Sequence, residues 1–230
     1  MIFESGAENG LLPITEGVVG SDTHELDNDP EDFADDYVGW GGSDRVEWIR
    51  FRARFSAAVF AYRAISEIAI ERVNMLQEET SNHDLHQEWG CEIEDVLYES
   101  KGFYEDSARI TGAAALVSVT AALELLLVEL GPNQSGAEAS RRPVGGFSGK
   151  LKRLLISLGC SDLELAAVRQ MMVPILDLRN ALAHSLDGSD WASEEEKPDL
   201  TPAGMDLGFR NVGKLAEEII VLVEGKASRR

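Results

Sequence analysis

The chain has 230 residues, of which 44% are hydrophobic, so it can build a core and is not disordered throughout. It carries 41 acids against 21 bases, a formal net charge of −20, which argues against a nonspecific nucleic-acid coat protein. Cys91 and Cys160 are the only cysteines, too few for a disulfide scaffold or a four-cysteine zinc site within one chain.

The charge is uneven. Residues 1–44 hold twelve of the acids and no Lys or Arg. Stretches such as Asp27-Asn28-Asp29-Pro30-Glu31-Asp32 have no apolar period, which predicts an acidic, disordered tail over 1–44. Such a tail is either a solubilising leader or a nucleic-acid mimic that shields a basic site or docks a basic partner. No basic stretch precedes an apolar run at the N-terminus, so no secretory signal is expected. The expected location is the cytoplasm.

A helical domain is expected over 45–230. Phe51, Phe55, Val59, Tyr62, Ile65, Ala69, Val73 and Leu76 recur every three or four residues, the spacing of one helical face. Ser43 or Asp44 is the expected cap, and the helix should run to about Glu78. A second, very acidic stretch carries Leu85, Trp89, Ile93, Val96 and Tyr104, with Gly102 as a possible break. Ile110 to Leu130 is then almost unbroken and apolar. At about 20 residues it barely reaches the length of a membrane span. Glu124 and Glu129 inside it would be costly in a bilayer. A helix buried on most sides of a bundle is expected instead, with no membrane contact.

Gly131-Pro132 stops that run, and a loop rich in Gly, Ser and Pro follows. A short helix is expected from Lys150 to Leu158, ending at Gly159. Ser161-Asp162-Leu163-Glu164 matches a capping box and starts a helix that carries Val168, Met172, Ile175 and Leu182. Pro174 should kink it. Thr201-Pro202 reads as a cap with a first-turn proline before the last helix. No strand pattern and no repeat appears. The fold class is all-α, about five helices in an up-and-down bundle.

The informative segment is Asp177-Leu178-Arg179-Asn180-Ala181-Leu182-Ala183-His184. At about 100° per residue, Asp177, Asn180 and His184 share a narrow stripe. Arg179 lies beside the apolar row instead. It either snorkels to solvent, pairs with a buried carboxylate, or does chemistry.

Arg179-Asn180-x-x-x-His184 resembles the R-[polar]-x-x-x-H signature of HEPN domains, near the end of a late helix as in that family. Ala121-Ala122-Leu123-Glu124-Leu125-Leu126 looks like the family's earlier long helix. The resemblance covers roughly residues 105–225. It implies a HEPN-like bundle, a homodimer whose two motif helices form one cleft, and a metal-independent endoribonuclease without cofactor. It further implies a toxin or antiviral-defence effector, with an antitoxin or defence-system protein as partner. Other members are noncatalytic modules that bind a nucleotide or a protein, and that alternative stays open. Leu186 stands where some toxins of the family carry a modified tyrosine, so control by modification there is not expected.

The residue chemistry suits RNA cleavage. His184 titrates near neutral pH and can take or give a proton. Arg179 presents a fixed cation to phosphoryl oxygens, and Asn180 can orient a phosphate or the imidazole. Asp177 either tunes the His184 tautomer or is a solvated surface acid. Arg141, Arg142, Lys150, Lys152 and Arg153 form a basic run without acids, and Arg45, Arg50, Arg52 and Arg54 form a second. Both fit phosphate contact, ordinary surface, or docking of the acidic tail. Glu124 either faces the cleft or satisfies a base in the core. His83-x-x-His86 with Cys91 lacks a convincing fourth ligand, so no metal site is expected. Gly145 to Lys150 lacks the spacing and the strand of a phosphate loop.

Overall fold

The computed structural model describes residues 32–39, 43–81, 92–131, 145–186 and 199–228. Side chains 183–186 lie outside the description, as do Arg141, Arg142, His83, His86 and Cys91. Every regular element among the described residues is helical: α1 (Val46–Thr80), α2 (Glu92–Leu130), α3 (Phe147–Ser157), α4 (Asp162–Leu186) and α5 (Pro202–Ala227). A 3-10 turn at Asp32–Ala34 precedes them.

α1 and α2 run antiparallel. Arg54 near the start of α1 meets Glu129 near the end of α2 at 3.5 Å, and Tyr62 lies against Gly112. The expected break at Gly102 does not occur; α2 runs through it for 39 residues. Nothing lies within 4 Å of a Cβ placed there. A glycine in an open helix interior costs only about 1 kcal/mol, which the long apolar face downstream offsets.

That face carries Val119, Leu123 and Leu126 at zero exposure. α2 is long and apolar enough to cross a membrane by composition, yet half of its most apolar window is buried within the bundle. α5 lies along it, Met205 touching Gly112 and Leu116 touching Gly208. α4 runs antiparallel to α5, with Glu164 at its start bridged to Lys226 at 3.1 Å and Leu178 against Gly208. α3 closes the bundle through Phe147, Leu151, Leu154 and Leu155.

Several local signals act as read. Thr201 Oγ1 accepts from Gly204 N–H at 3.2 Å, with Pro202 in the first turn. α3 ends in a left-handed Gly159, with Cys160 N–H donating to Leu155 O and Gly159 N–H to Ile156 O. That is the two-bond Schellman ending, which glycine accommodates without strain. The cap of α1 differs from expectation. Arg45 occupies it with no side-chain bond, and Ser43 is buried, its Oγ accepting from Arg45 N–H at 3.4 Å.

The packed part of the chain starts before Arg45. Residues 32–39 form a strap across α1 and α5, with Ala34 and Val38 wholly buried. Ser56 Oγ accepts from Ala34 N–H at 3.1 Å. The Tyr37 ring sits 5.5 Å from Phe209 and 6.0 Å from Phe55. Two acids of the strap pair with bases beneath it: Asp35 with Arg52, and Asp36 with Arg63 at 2.6 Å. Gly213 lets the strap approach α5, since a Cβ there would collide with the Tyr37 carbonyl.

Candidate functional site

α4 positions the motif. Its start is fixed by the capping box: Glu164 N–H donates to Ser161 Oγ at 3.3 Å, and Ser161 N–H donates to Glu164 Oε2 at 2.6 Å. The Ser161 N–H and hydroxyl, together with the Lys226 ammonium, hold the Glu164 carboxyl down at about 2. The row Val168, Met172, Ile175 and Leu182 is buried as its period predicts.

Arg179 falls four residues after Ile175 and three before Leu182, inside that row. Its side chain is half-buried rather than free in solvent. It borders a small void of about 10 Å³ shared with Thr120, Pro174, Leu178, Gly208 and Asn211. Arg179 therefore stands at the junction of α2, α4 and α5. No carboxylate among the described residues pairs with it, unlike Arg45, Arg52, Arg54 and Arg63. Pro174, which also borders the void, has no N–H, so the Gln170 carbonyl loses its helical donor.

Asn180 and Asp177 are exposed on α4. The backbone of His184 continues the same helix, one turn beyond Asn180. Positions 179 and 184 are five residues apart, about 140° around the helix. One copy of α4 thus offers the two motif positions at different angles.

Glu124 has a definite partner. Lys150 Nζ donates to its Oε1 at 2.6 Å, both side chains about one-fifth exposed. This pair ties α3 to α2, so Lys150 is committed within the fold. Arg153 Nε donates to Gly149 O at 3.2 Å. Lys152 is exposed and lines a surface hollow of about 470 Å³ with Ile156, Leu165 and Arg169. In the first-helix cluster, Arg52 is buried under the strap, its Nη1 donating to Gly39 O at 3.1 Å, and Arg54 is bridged to Glu129. Arg50 stays exposed.

Two residues near the site escaped the sequence reading. Arg169 precedes Asn180 by eleven residues, three helical turns, and so shares its face of α4. That spacing was available in the sequence. Asn211 comes from α5, and only the packing of α5 on α4 brings it beside Arg179. Among the described residues no three His, Cys, Asp or Glu side chains gather as a possible metal set. Comparison with known proteins returns no match: no family model, no curated protein and no solved structure is significantly similar to this chain.

Proposed function

We propose that the chain is a metal-independent endoribonuclease of HEPN type, acting as a cytoplasmic homodimer in a toxin or antiviral-defence role. The observation that carries the reading is Arg179. It is a half-buried arginine bordering a three-helix junction, with no carboxylate partner among the described residues, one residue before the exposed Asn180. Burying a cation part-way without a counter-charge costs stability, and a phosphate would supply that charge.

In the proposed reaction the ribose 2′-oxygen attacks the adjacent phosphorus. The O2′–P bond forms and the P–O5′ bond breaks. One His184 imidazole takes the 2′-OH proton, and an imidazolium, His184 of a second copy, gives a proton to O5′. Arg179 stabilises charge developing on the non-bridging oxygens, and Asn180 orients the phosphate. The products are a 2′,3′-cyclic phosphate and a 5′-hydroxyl. Two copies of α4 across a two-fold axis provide both histidines and compensate for the angle between positions 179 and 184. Lys152 and Arg169, with Arg141, Arg142 and Arg153, would track the RNA backbone beyond the reacting phosphate, while Lys150 supports the site through Glu124. Asp177 serves as a solvated acid on the outer face.

The second reading is a noncatalytic HEPN module that binds a nucleotide or a protein. It is favoured by the net charge of −20 and by the commitment of Lys150, Arg52 and Arg54 to internal carboxylates. The deciding experiment incubates RNA with wild type and His184→Ala in EDTA and analyses the product ends. Wild type should yield cyclic-phosphate ends and the variant should lose at least about a thousandfold in rate. Unchanged cleavage by a helical, folded variant would refute the assignment. An inactive wild type that binds nucleotide would favour the module.

A further inference from the structure

Beyond Tyr62, α1 adds only Ala69 to the buried residues. Ile68 and Ile70 are exposed by 51% and 56%. Between this half of α1, the facing part of α2 and the start of α5 lies a groove of about 750 Å³. Its apolar floor is Tyr62, Ala69, Val73, Ala108, Leu200 and Pro202. The Ser66 hydroxyl opens onto the same groove, buried and without a hydrogen-bond partner among the described residues. Tyr62 is anchored to the core by Phe209, ring centroids 5.7 Å apart. From Tyr62 to Asn74 the groove follows α1 for twelve residues, about 18 Å, the length of three turns of a second helix laid beside it.

Acids outnumber bases around it. Glu105 and Asp199 line the groove beside Arg109, and Glu67 and Glu71 are exposed next to the lining residues Ser66 and Ile70, with Arg72 an exposed base of the same half of α1. The two bases of the α2 wall are already engaged: Lys101 with Glu105 at 3.7 Å, and Arg109 with Asp106 at 2.9 Å. Asp199 closes the end of the groove, its carboxylate accepting from Thr201 Oγ1 at 2.6 Å and from Thr201 N–H at 3.0 Å.

We propose that this groove docks a basic amphipathic helix of a partner protein. The apolar floor receives the partner's leucine-like stripe, and the surrounding acids receive flanking Lys and Arg. A second copy of this chain is disfavoured as occupant, because it would bring two sets of acids together, and RNA is disfavoured by the same charge. Ser66 supplies one unpaired polar group at the floor, suited to a small polar side chain in the docked stripe. The proposal is independent of the nuclease reading.

The test is calorimetric titration of the full chain with three synthetic 18-residue peptides. One has leucines at i, i+3, i+4 and i+7 with lysines elsewhere. The second keeps the leucines and replaces lysine by glutamate. The third has the composition of the first with its leucines scattered. The first peptide should bind at about 10 μM or tighter and the others at least about tenfold weaker. Ile70→Lys and Glu105→Lys, both at exposed positions, should each weaken it about tenfold while circular dichroism stays unchanged. Glu218→Lys on the exposed face of α5 should leave binding as in wild type. Equal binding of the first and third peptides would mean charge alone, and would overturn the proposal. So would binding indifferent to Ile70→Lys, no binding at all, or self-association of the free chain that Ile70→Lys abolishes.

Discussion

Arg52 and Arg179 both stand where helices meet, and their surroundings differ sharply. Arg52 is 8% exposed beneath the strap, with Asp35 and the Gly39 carbonyl as partners. Arg179 is half-buried between α2, α4 and α5, bordered by apolar side chains, Thr120 and Asn211, with no carboxylate partner among the described residues. A buried cation that is fully paired holds a fold together, and breaking its pair is expensive. A cation held near the interior without an anion is poised to receive one. The acidic strap thus neutralises Arg52 and Arg63 of α1, whereas Arg179 on the motif helix has no carboxylate partner among the described residues.

Exchanging the consequences of the two arginines is the strongest way to break this contrast. Arg179→Ala should lower RNA cleavage by about 10²–10³-fold, as loss of a charge-stabilising donor does. Its unfolding free energy in urea should fall by less than about 1 kcal/mol, because no ion pair among the described residues is lost. Arg52→Ala should do the reverse, costing about 2–3 kcal/mol while specific cleavage by the folded fraction is unchanged. Parallel denaturation and initial-rate measurements decide. If Arg179→Ala unfolds the protein as readily as Arg52→Ala, Arg179 is structural.

Gly213→Ala probes the strap without touching a charge. The new Cβ would meet the Tyr37 carbonyl, a backbone atom that cannot rotate away. The strap must lift or α5 must shift, at about 1–3 kcal/mol. Fluorescence and hydrogen exchange should show loss of protection at Ala34 to Val38 before the rest of the bundle. Uniform loss across all helices would mean that the strap is inseparable from the core.

The helices were readable where local rules dominate. The row on α4, the Ser161 box, the Thr201 cap and the Gly159 stop each rest on contacts within a few residues. The strap was not readable, because Ala34 and Val38 are two small anchors among acids and glycines, and local composition there matches a disordered chain. Their burial comes from α1 and α5, which no local pattern contains. Arg52 stood in a basic run that fitted phosphate contact, ordinary surface or docking of the acidic tail, and its pairing with Asp35 selects tail docking, a choice only the folded strap makes. At the site, the row position of Arg179 was legible from its spacing to Ile175 and Leu182. The pairing of Glu124 with Lys150, and the arrival of Asn211, depend on helix docking and were not.

The smallest expected effect concerns how α4 is held at its start. Glu164 is only half-buried, yet its carboxyl lies near 2 because Ser161 donates to it from backbone and side chain and Lys226 reaches it from the end of α5. The ordinary value, about 4.5, describes the unfolded chain. A group whose value is depressed on folding stabilises the folded state above the unfolded value. It loses that contribution as pH falls through the folded value. Wild type should therefore exceed Glu164→Gln in urea midpoint at pH 6, and the gap should close between about pH 4.5 and 2. A gap for Glu164→Gln that persists unchanged at pH 2 would mean that packing, rather than the charged cap and its bridge to α5, holds the start of the motif helix.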